Sequence, residues 1–159
     1  VLAIELVAID SSDFEDLLAL RTAAMRDSLV RIGRFDPERS RARFLASFAA
    51  QYTRHIVVGG CRVGFVAVTP RRDHLSLDHL YVQPGHQGRG TGAAVLARLI
   101  AEARQQPLPL RVCALRDSDA NRFYQRHGFV LVDEDEFDLI YTLDCTTGAG
   151  THHPGPAAA

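Results

Sequence analysis

The sequence contains no lysine, and all 18 of its basic residues are arginine. Schiff-base catalysis and the lysine-bearing phosphate loop of nucleotide-binding proteins are thereby excluded. Tryptophan is absent as well. The three cysteines, Cys61, Cys113 and Cys145, are odd in number and far apart. They form no CxxC pair and no disulfide framework, which fits a reducing compartment. The histidines show no HxxxH-type ligand spacing, so no metal is expected. No apolar run reaches the roughly 18–20 residues that span a bilayer, and no signal-peptide pattern opens the chain. Neither sign of charge dominates. With 18 basic and 19 acidic side chains the formal net charge is −1, which argues against a general nucleic-acid binder. The expectation is a soluble, cytoplasmic protein with no nucleic-acid or membrane partner.

The chain has 159 residues, 47% of them hydrophobic, which suits one domain with a real core and a ligand cleft. Ile4, Leu6 and Val7 alternate loosely and predict a first strand over residues 2–8. Ser12-Asp13-Phe14-Glu15 is a capping-box pattern. Behind it Phe14, Leu17, Leu18, Met25 and Leu29 recur at helical spacing, predicting a helix from about Asp13 into the twenties. Asp36-Pro37 is a cap and first-turn pair for a second helix, with Phe44, Leu45, Phe48 and Tyr52 on its apolar face. His55 to Val58, the turn Gly59-Gly60 and Arg62 to Val68 read as a hairpin. Leu75 to Val82 is the next strand.

After a glycine cluster at 88–92, Val95, Leu96, Leu99, Ile100 and Ala103 mark an amphipathic helix that ends before Pro107 and Pro109. Leu110 to Leu115 then reads as a buried strand that includes Cys113. Ser118 caps a short helix ending at Gly128, and Phe129 to Val132 pairs with Phe137 to Leu143 around an acidic turn. The pattern is a mixed α/β domain over 1–144 rather than a regular βαβ repeat. From 145 to 159 the composition is that of a disordered tail, and His152 and His153 belong to it.

Gln87-Gly88-Arg89-Gly90-Thr91-Gly92 lies between a strand and a helix. Glycines leave backbone N–H groups exposed at a helix N-terminus, where partial positive charge favours a phosphate or pyrophosphate, and Arg89 adds a phosphate-pairing side chain. A nucleoside triphosphate is excluded because the loop lacks its lysine. A dinucleotide fits formally through Gly88-x-Gly90-x-x-Ala93. Its fingerprint, however, turns directly off a strand in a regular βαβ unit that begins the fold, whereas residues 83–87 intervene here.

The segment Leu80-Tyr81-Val82-x-Pro84-x-x-Gln87-Gly88-x-Gly90-x-Gly92 resembles the acetyl-CoA-binding motif of the GNAT N-acetyltransferase superfamily, (Gln/Arg)-x-x-Gly-x-(Gly/Ala). About thirty residues later Asn121-x-Phe123-Tyr124-x-x-x-Gly128-Phe129 is similar to that family's second motif. The resemblance covers 1–144 and implies a GNAT-type fold, a mostly antiparallel central sheet flanked by helices. It implies acetyl-CoA as co-substrate and acetyl transfer directly to a primary amine of a small molecule or peptide. On this resemblance the N–H groups of Gly88, Arg89, Gly90, Thr91 and Gly92, together with Gln87, bind the pyrophosphate. Leu80, Tyr81 and Val82 lie on a splayed strand that offers backbone groups to the pantetheine arm, with an oxyanion donor near Val82. Asn121 hydrogen-bonds the same arm.

Tyr124 is the candidate general acid, since a phenol near pKa ~10 stays protonated at neutral pH and can donate to a departing sulfur. On the same resemblance, which implies a base or its water relay at the strand positions of Ser76 and Asp78, Asp78 is the first candidate, and His79 is the second by its pKa alone. Strict alternation places Ser76, Asp78 and Leu80 on one strand face and Leu77, His79 and Tyr81 on the other. Residues 21–43 hold seven arginines against three acids. One reading is a carboxylate or phosphate on the substrate, held by Arg31 or Arg34; the commoner meaning of such a run is a solvated helix face. The turn Asp133-Glu134-Asp135-Glu136 is acidic enough to attract an amine, yet an exposed hairpin turn explains it too. A non-catalytic acyl-CoA sensor or partner-binding module remains the alternative function, and a homodimer stays open.

Overall fold

The computed structural model describes residues 2–145. β1 (Glu5–Ala8) leads through a 3-10 turn at Ser11–Asp13 into α1 (Phe14–Arg31). Asp10 Oδ1 accepts from the Ser12 amide at 3.0 Å, and Asp13 Oδ2 accepts from the Asp10 amide at 2.9 Å. The capping box therefore lies at Asp10 and Asp13, upstream of the expected Ser12 and Glu15, because those aspartates reach the orphan amides first. α1 runs to Arg31, further than its apolar pattern implied. It ends where Gly33 turns left-handed at φ 70° and the Arg34 amide closes on the Leu29 carbonyl at 2.8 Å.

α2 (Pro37–Ser47) begins as expected, with Asp36 Oδ1 accepting from the Arg39 amide at 3.1 Å. Leu45, assigned to its apolar face, is 59% exposed, and Tyr52 falls in the separate turn Ala50–Tyr52. β2 (Thr53–Val58) and β3 (Cys61–Pro70) form the hairpin about Gly59 and Gly60, which take φ 57° and 81°. β4 (Leu75–Val82), α3 (Thr91–Gln105) and β5 (Leu110–Leu115) make a parallel crossover. α4 (Ala120–Arg126), β6 (Val130–Glu134) and β7 (Asp138–Leu143) complete the chain. The cap residue of α4 is Asp119 rather than the expected Ser118, and its side chain makes no capping bond.

One seven-stranded sheet in the order β1-β2-β3-β4-β5-β7-β6 forms the centre. Every pairing is antiparallel except that of β4 with β5. This is the mixed, mostly antiparallel sheet flanked by helices expected from the sequence. The consecutive β3 residues Phe65 and Val66 are both fully buried but in separate clusters, so a core lies on each face of the sheet. The larger packs Val95, Leu96 and Leu99 of α3 on Leu75, Leu77, Leu110 and Val112. The smaller joins Leu17 of α1 and Phe44 of α2 to Phe65. Cys145, placed at the start of the expected tail, is 1% exposed against the larger core. The rest of that tail, with His152 and His153, lies outside the described residues. No helix among the described residues is long and apolar enough to cross a membrane.

A bulge interrupts β4. Ala67 pairs with His79 and Val68 with Leu77, leaving Asp78 as an extra residue. Leu77 and Leu80 consequently both pack into the α3-side core, while His79 and Tyr81 pack on Phe65 on the other face. Asp78 lies beside Ala24, Met25 and Ser28 of α1, and Ser76 hydrogen-bonds to it. The strict alternation read from the sequence is thus broken by one residue, which moves Leu80 away from Asp78 and brings Asp78, His79 and Tyr81 to one side.

Gly64 fixes the far end of the same strand. A Cβ there would overlap the Tyr81 carbonyl oxygen and lie 3.1 Å from Val82 Cα, atoms of backbone that cannot yield like a side chain. Gly64→Ala is therefore expected to destabilise the fold by about 2–3 kcal/mol. In thermal denaturation this appears as a loss of roughly 5–10 °C in Tm. An unchanged Tm would mean that β3 and β4 tolerate being pushed apart.

Candidate active site

β4 and β5 pair only where Leu75–Leu77 meets Leu110–Val112. Past that point β4 stays with β3 as far as Val82, and β5 stays with β7 as far as Leu115, so the two strands diverge. The polarity of the exposed backbone follows from the β3–β4 ladder. The Gln83 amide donates to the Val63 carbonyl at 2.8 Å. Because bonded pairs alternate in an antiparallel ladder, Tyr81 also bonds to β3, whereas the amides of Leu80 and Val82 turn toward the gap. Gln87 Nε2 donates to the Val82 carbonyl at 2.9 Å and holds the loop beyond the strand against it.

That loop forms the cradle. After the turn Pro84–His86, Gly88 and Gly90 adopt φ 76° and 82°, and Gly90 is the cap residue of α3. A Cβ at either glycine would meet nothing within 4 Å, so the requirement is conformational and the space above the backbone is open. Among the described residues no protein group accepts from the N–H groups of 88–93. They point, with the dipole of a 15-residue helix behind them, into a cleft of about 420 Å³. Leu80, Val82, Gln87, Gly88, Gly90, Thr91 and Gly92 line that cleft, as the motif implied. Arg89 is exposed and does not line it. Arg126, His86 and His127 do. The last two were not among the sequence candidates, nor was Arg126, although helical spacing from Phe123 would have placed Arg126 and His127 on the same side.

A second cavity, of about 270 Å³, opens on the α1 side. It is lined by Met25, Ser28, Asp78, Cys113 and Leu115 among others, and it shares Leu80, Val82, Gln87, Asp119, Ala120 and Tyr124 with the first. The two cavities meet in the gap between β4 and β5. Tyr124 is at that junction, 6% exposed, its ring stacked on Phe129 at 5.3 Å. Burial, and secondarily the neighbouring Tyr81, raises its pKa well above that of an ordinary phenol. Its hydroxyl has no hydrogen-bond partner among the described residues and stays protonated at neutral pH.

Asn121, expected to reach the pantetheine arm, has a structural assignment instead. Its Nδ2 donates at 2.9 Å to the carbonyls of Leu115 and Ser118, and its Oδ1 accepts from Tyr141 at 2.9 Å. It lines neither cavity. A side chain with both amide protons already used closes the turn between β5 and α4 rather than offering a donor to a ligand.

Asp78 faces the α1-side cavity from the bulge, its carboxylate accepting from Ser76 Oγ at 2.6 Å and Thr69 Oγ1 at 2.5 Å. His79 does not join it. Its ring lies edge-on to Phe44 at 5.2 Å and lines neither cavity, and both ring nitrogens are buried without a partner. Burial first, then the charge of Arg21, depresses its pKa to about 4, partly opposed by Asp78. A neutral, enclosed imidazole of that basicity is a poor proton acceptor at pH 7. Cys113 corrects the sequence reading in the other direction: it is exposed and lines the α1-side cavity rather than the core. Partial burial, with Asp138 and Asp135 nearby, pushes its thiol up to about 11, so it is not a thiolate nucleophile at neutral pH.

A sheet split between two parallel strands, with an amide cradle on the helix that joins them, defines an acetyltransferase-type α/β domain. A family profile described as an acetyltransferase (GNAT) domain matches residues 49–131, just over half of the chain, and the chain belongs to that family. No curated protein matches it in sequence. Its fold is similar to that of the PaiA N-acetyltransferase from Thermoplasma acidophilum in complex with coenzyme A. The identity there is 16% and the TM-score 0.73, over 89% of this chain and 99% of that one. The ribosomal-protein-S18-alanine N-acetyltransferase from Escherichia coli is similar at 16% identity and TM-score 0.68, over 95% and 100%. Arabidopsis thaliana Naa50 in complex with the bisubstrate analogue CoA-Ac-MVNAL gives 16% and 0.67, over 88% and 97%.

The depressed pKa of His79 makes a stability prediction. Unfolding returns its pKa to about 6.5, so below that pH the unfolded chain binds a proton that the native state refuses. Stability is then lost as pH falls from about 6.5 toward about 4, by up to about 3 kcal/mol from this group. Urea titrations of the protein and of His79→Leu at pH 7 and pH 4.5 measure it. The variant should lose distinctly less stability on acidification, and equal losses would show that the imidazole is solvated in the native state.

Proposed function

We propose that the protein is an N-acetyltransferase that moves an acetyl group from acetyl-CoA directly to a primary amine of a small molecule or peptide. The observation that carries this reading is the meeting of two cavities in the β4–β5 gap, one beginning at the amide cradle and the other holding Asp78. Acetyl-CoA, the co-substrate that family membership supplies, brings an acetyl group activated as a thioester. The cradle suits its pyrophosphate: unpartnered N–H groups, open space above Gly88 and Gly90, and Arg126 on the cleft wall. The Leu80 and Val82 backbone edge suits an extended amide-bearing arm, which would add to β4 as a short strand partner.

Each residue then has a defined task. The Val82 amide stabilises the acyl oxygen as the amine attacks and negative charge collects there. Asp78, oriented by Ser76 and Thr69, positions the amine and takes its proton through a water molecule. Tyr124 donates to the departing sulfur. A phenol is already a weaker acid than a thiol and burial widens the gap, so its proton transfers only as the carbon–sulfur bond breaks and negative charge collects on the sulfur. One proton leaves the nitrogen, one reaches the sulfur, and no acyl-enzyme is required.

Thermal unfolding with acetyl-CoA, with NADH as a control, tests the co-substrate. At 100 times its dissociation constant a ligand adds ~2.7 kcal/mol, so acetyl-CoA alone is expected to raise Tm by several degrees. A rise with NADH alone would overturn the reading in favour of a dinucleotide site. Tyr124→Phe tests the chemistry: kcat is expected to fall by roughly 10²–10⁴ while acetyl-CoA affinity is retained. An unchanged kcat would remove Tyr124 from the proton path, and an absence of turnover in both proteins would leave a binding module.

A further inference from the structure

A third cavity, of about 170 Å³, adjoins the α1-side cavity and shares Met25, Cys113 and Leu115 with it. Its walls come from α1, the loop after it, α2 and the β5–β7 edge, and they carry Arg21, Arg34, Arg39 and Arg43 against Asp36 and Asp138. The ion pairs among the described residues engage Arg41, Arg54, Arg62 and Arg116, and none engages these four. Asp36 is already occupied as the cap of α2.

Two of the four guanidinium groups are positioned by the fold. Arg34 Cζ lies 3.7 Å above the centre of the Phe137 ring. Arg21 donates to the buried Ser40 hydroxyl at 2.5 Å, and its Nε is buried with no partner. Arg39 and Arg43 are exposed at the mouth. Asp138 is near enough to feel Arg34 and Arg43 but forms no ion pair with either, and half-buried guanidinium groups without a paired carboxylate are costly unless something else supplies the negative charge.

We propose that this groove is the anion-recognising end of the acceptor site. The acceptor amine carries an oxyanion, a carboxylate or a phosphate, at the end remote from its nitrogen. Arg34 and Arg21 bind that group, with Arg39 and Arg43 drawing it in, while the nitrogen lies in the adjoining cavity at Asp78. Arginine suits the task because its planar fork matches both oxyanions and remains charged at any working pH. All four fall in the basic run at residues 21–43, which the sequence alone explained more readily as a solvated helix face, and the fold gathers them on one groove. Arg31 instead donates to the Asp117 carbonyl at 3.2 Å and lines no part of the groove.

The proposal rests on the acetyl-transfer reading for the role of the neighbouring cavity, and its test keeps the two apart. Calorimetry with coenzyme A, and again without it, compares ω-amino acids of graded chain length with their own neutral amides, and phosphoethanolamine with ethanolamine. At least one anionic member should bind about tenfold or more tightly than its neutral partner, the size of one charge-assisted contact. Whether carboxylate or phosphate gives the larger ratio identifies the oxyanion. Arg34→Gln should remove most of the preference and Arg43→Gln part of it, each leaving the affinity of the neutral partner unchanged. Asp138→Asn, which deletes a competing negative charge, should enlarge it. Equal binding within every pair, or a preference that survives in the double variant of Arg34 and Arg43, would overturn the proposal. Failure of coenzyme A to bind would sink the acetyl-transfer reading, and the paired titrations without it would still decide the groove.

Discussion

A parallel pair of strands normally holds its ladder for the length of the shorter strand. β4 and β5 abandon theirs after Leu77 and Val112, and the rest of the site depends on that. Each strand keeps a partner on its outer side, β3 for one and β7 for the other, so the divergence leaves only inner backbone groups to be satisfied. Those groups, the amides of Leu80 and Val82 among them, are fixed donors facing a gap rather than solvent. Backbone held rigid from behind and unpaired in front is already arranged to stabilise charge, with little reorganisation when a reaction demands it. The bulge at Asp78 works with the divergence. It rotates the strand by one residue where pairing ends, and so brings a carboxylate to one face and Leu80 to the other.

Around this gap the protein keeps protons in place. Tyr124, Cys113 and His79 are all shifted toward their neutral forms, chiefly by burial. For Tyr124 this preserves a proton at the junction of two cavities. For Cys113 it keeps the thiol neutral, and for His79 it keeps the imidazole neutral and away from the cavity that Asp78 faces. The same low-dielectric surroundings raise the cost of the half-buried Arg21 and Arg34 on the neighbouring wall. Their presence is then the opposite of incidental, since a smaller or apolar residue would pack there at lower cost. The gap thus keeps its titratable groups neutral on one side, while the neighbouring groove concentrates positive charge.

Local signals were legible wherever chemistry and chain position coincide. Asp36-Pro37, Gly59-Gly60 and the glycines at 88–92 each do what their backbone preferences dictate, and the heptad-like spacing of Val95, Leu96, Leu99 and Ala103 gives α3 its buried face. The cradle was readable because its donors are backbone groups of consecutive residues. Asn121 and His79 misled for one reason: their side chains carry suitable atoms, but the sequence does not say which partners use those atoms first. Tyr141, twenty residues further on, and Phe44, thirty-five residues earlier, decided both cases.

Periodicity likewise assigned faces to β4 correctly only up to the bulge, because an inserted residue changes register without changing composition. Segment type, the order of elements and the glycine turn that opens α3 were determined by the sequence, since each follows from propensities and spacings within a few residues. The divergence of β4 from β5, the exclusion of His79, the exposure of Cys113 and the convergence of Arg21 with Arg34 were decided by the tertiary structure. They depend on contacts between segments far apart in the chain, and desolvation and charge are properties of the space those segments enclose.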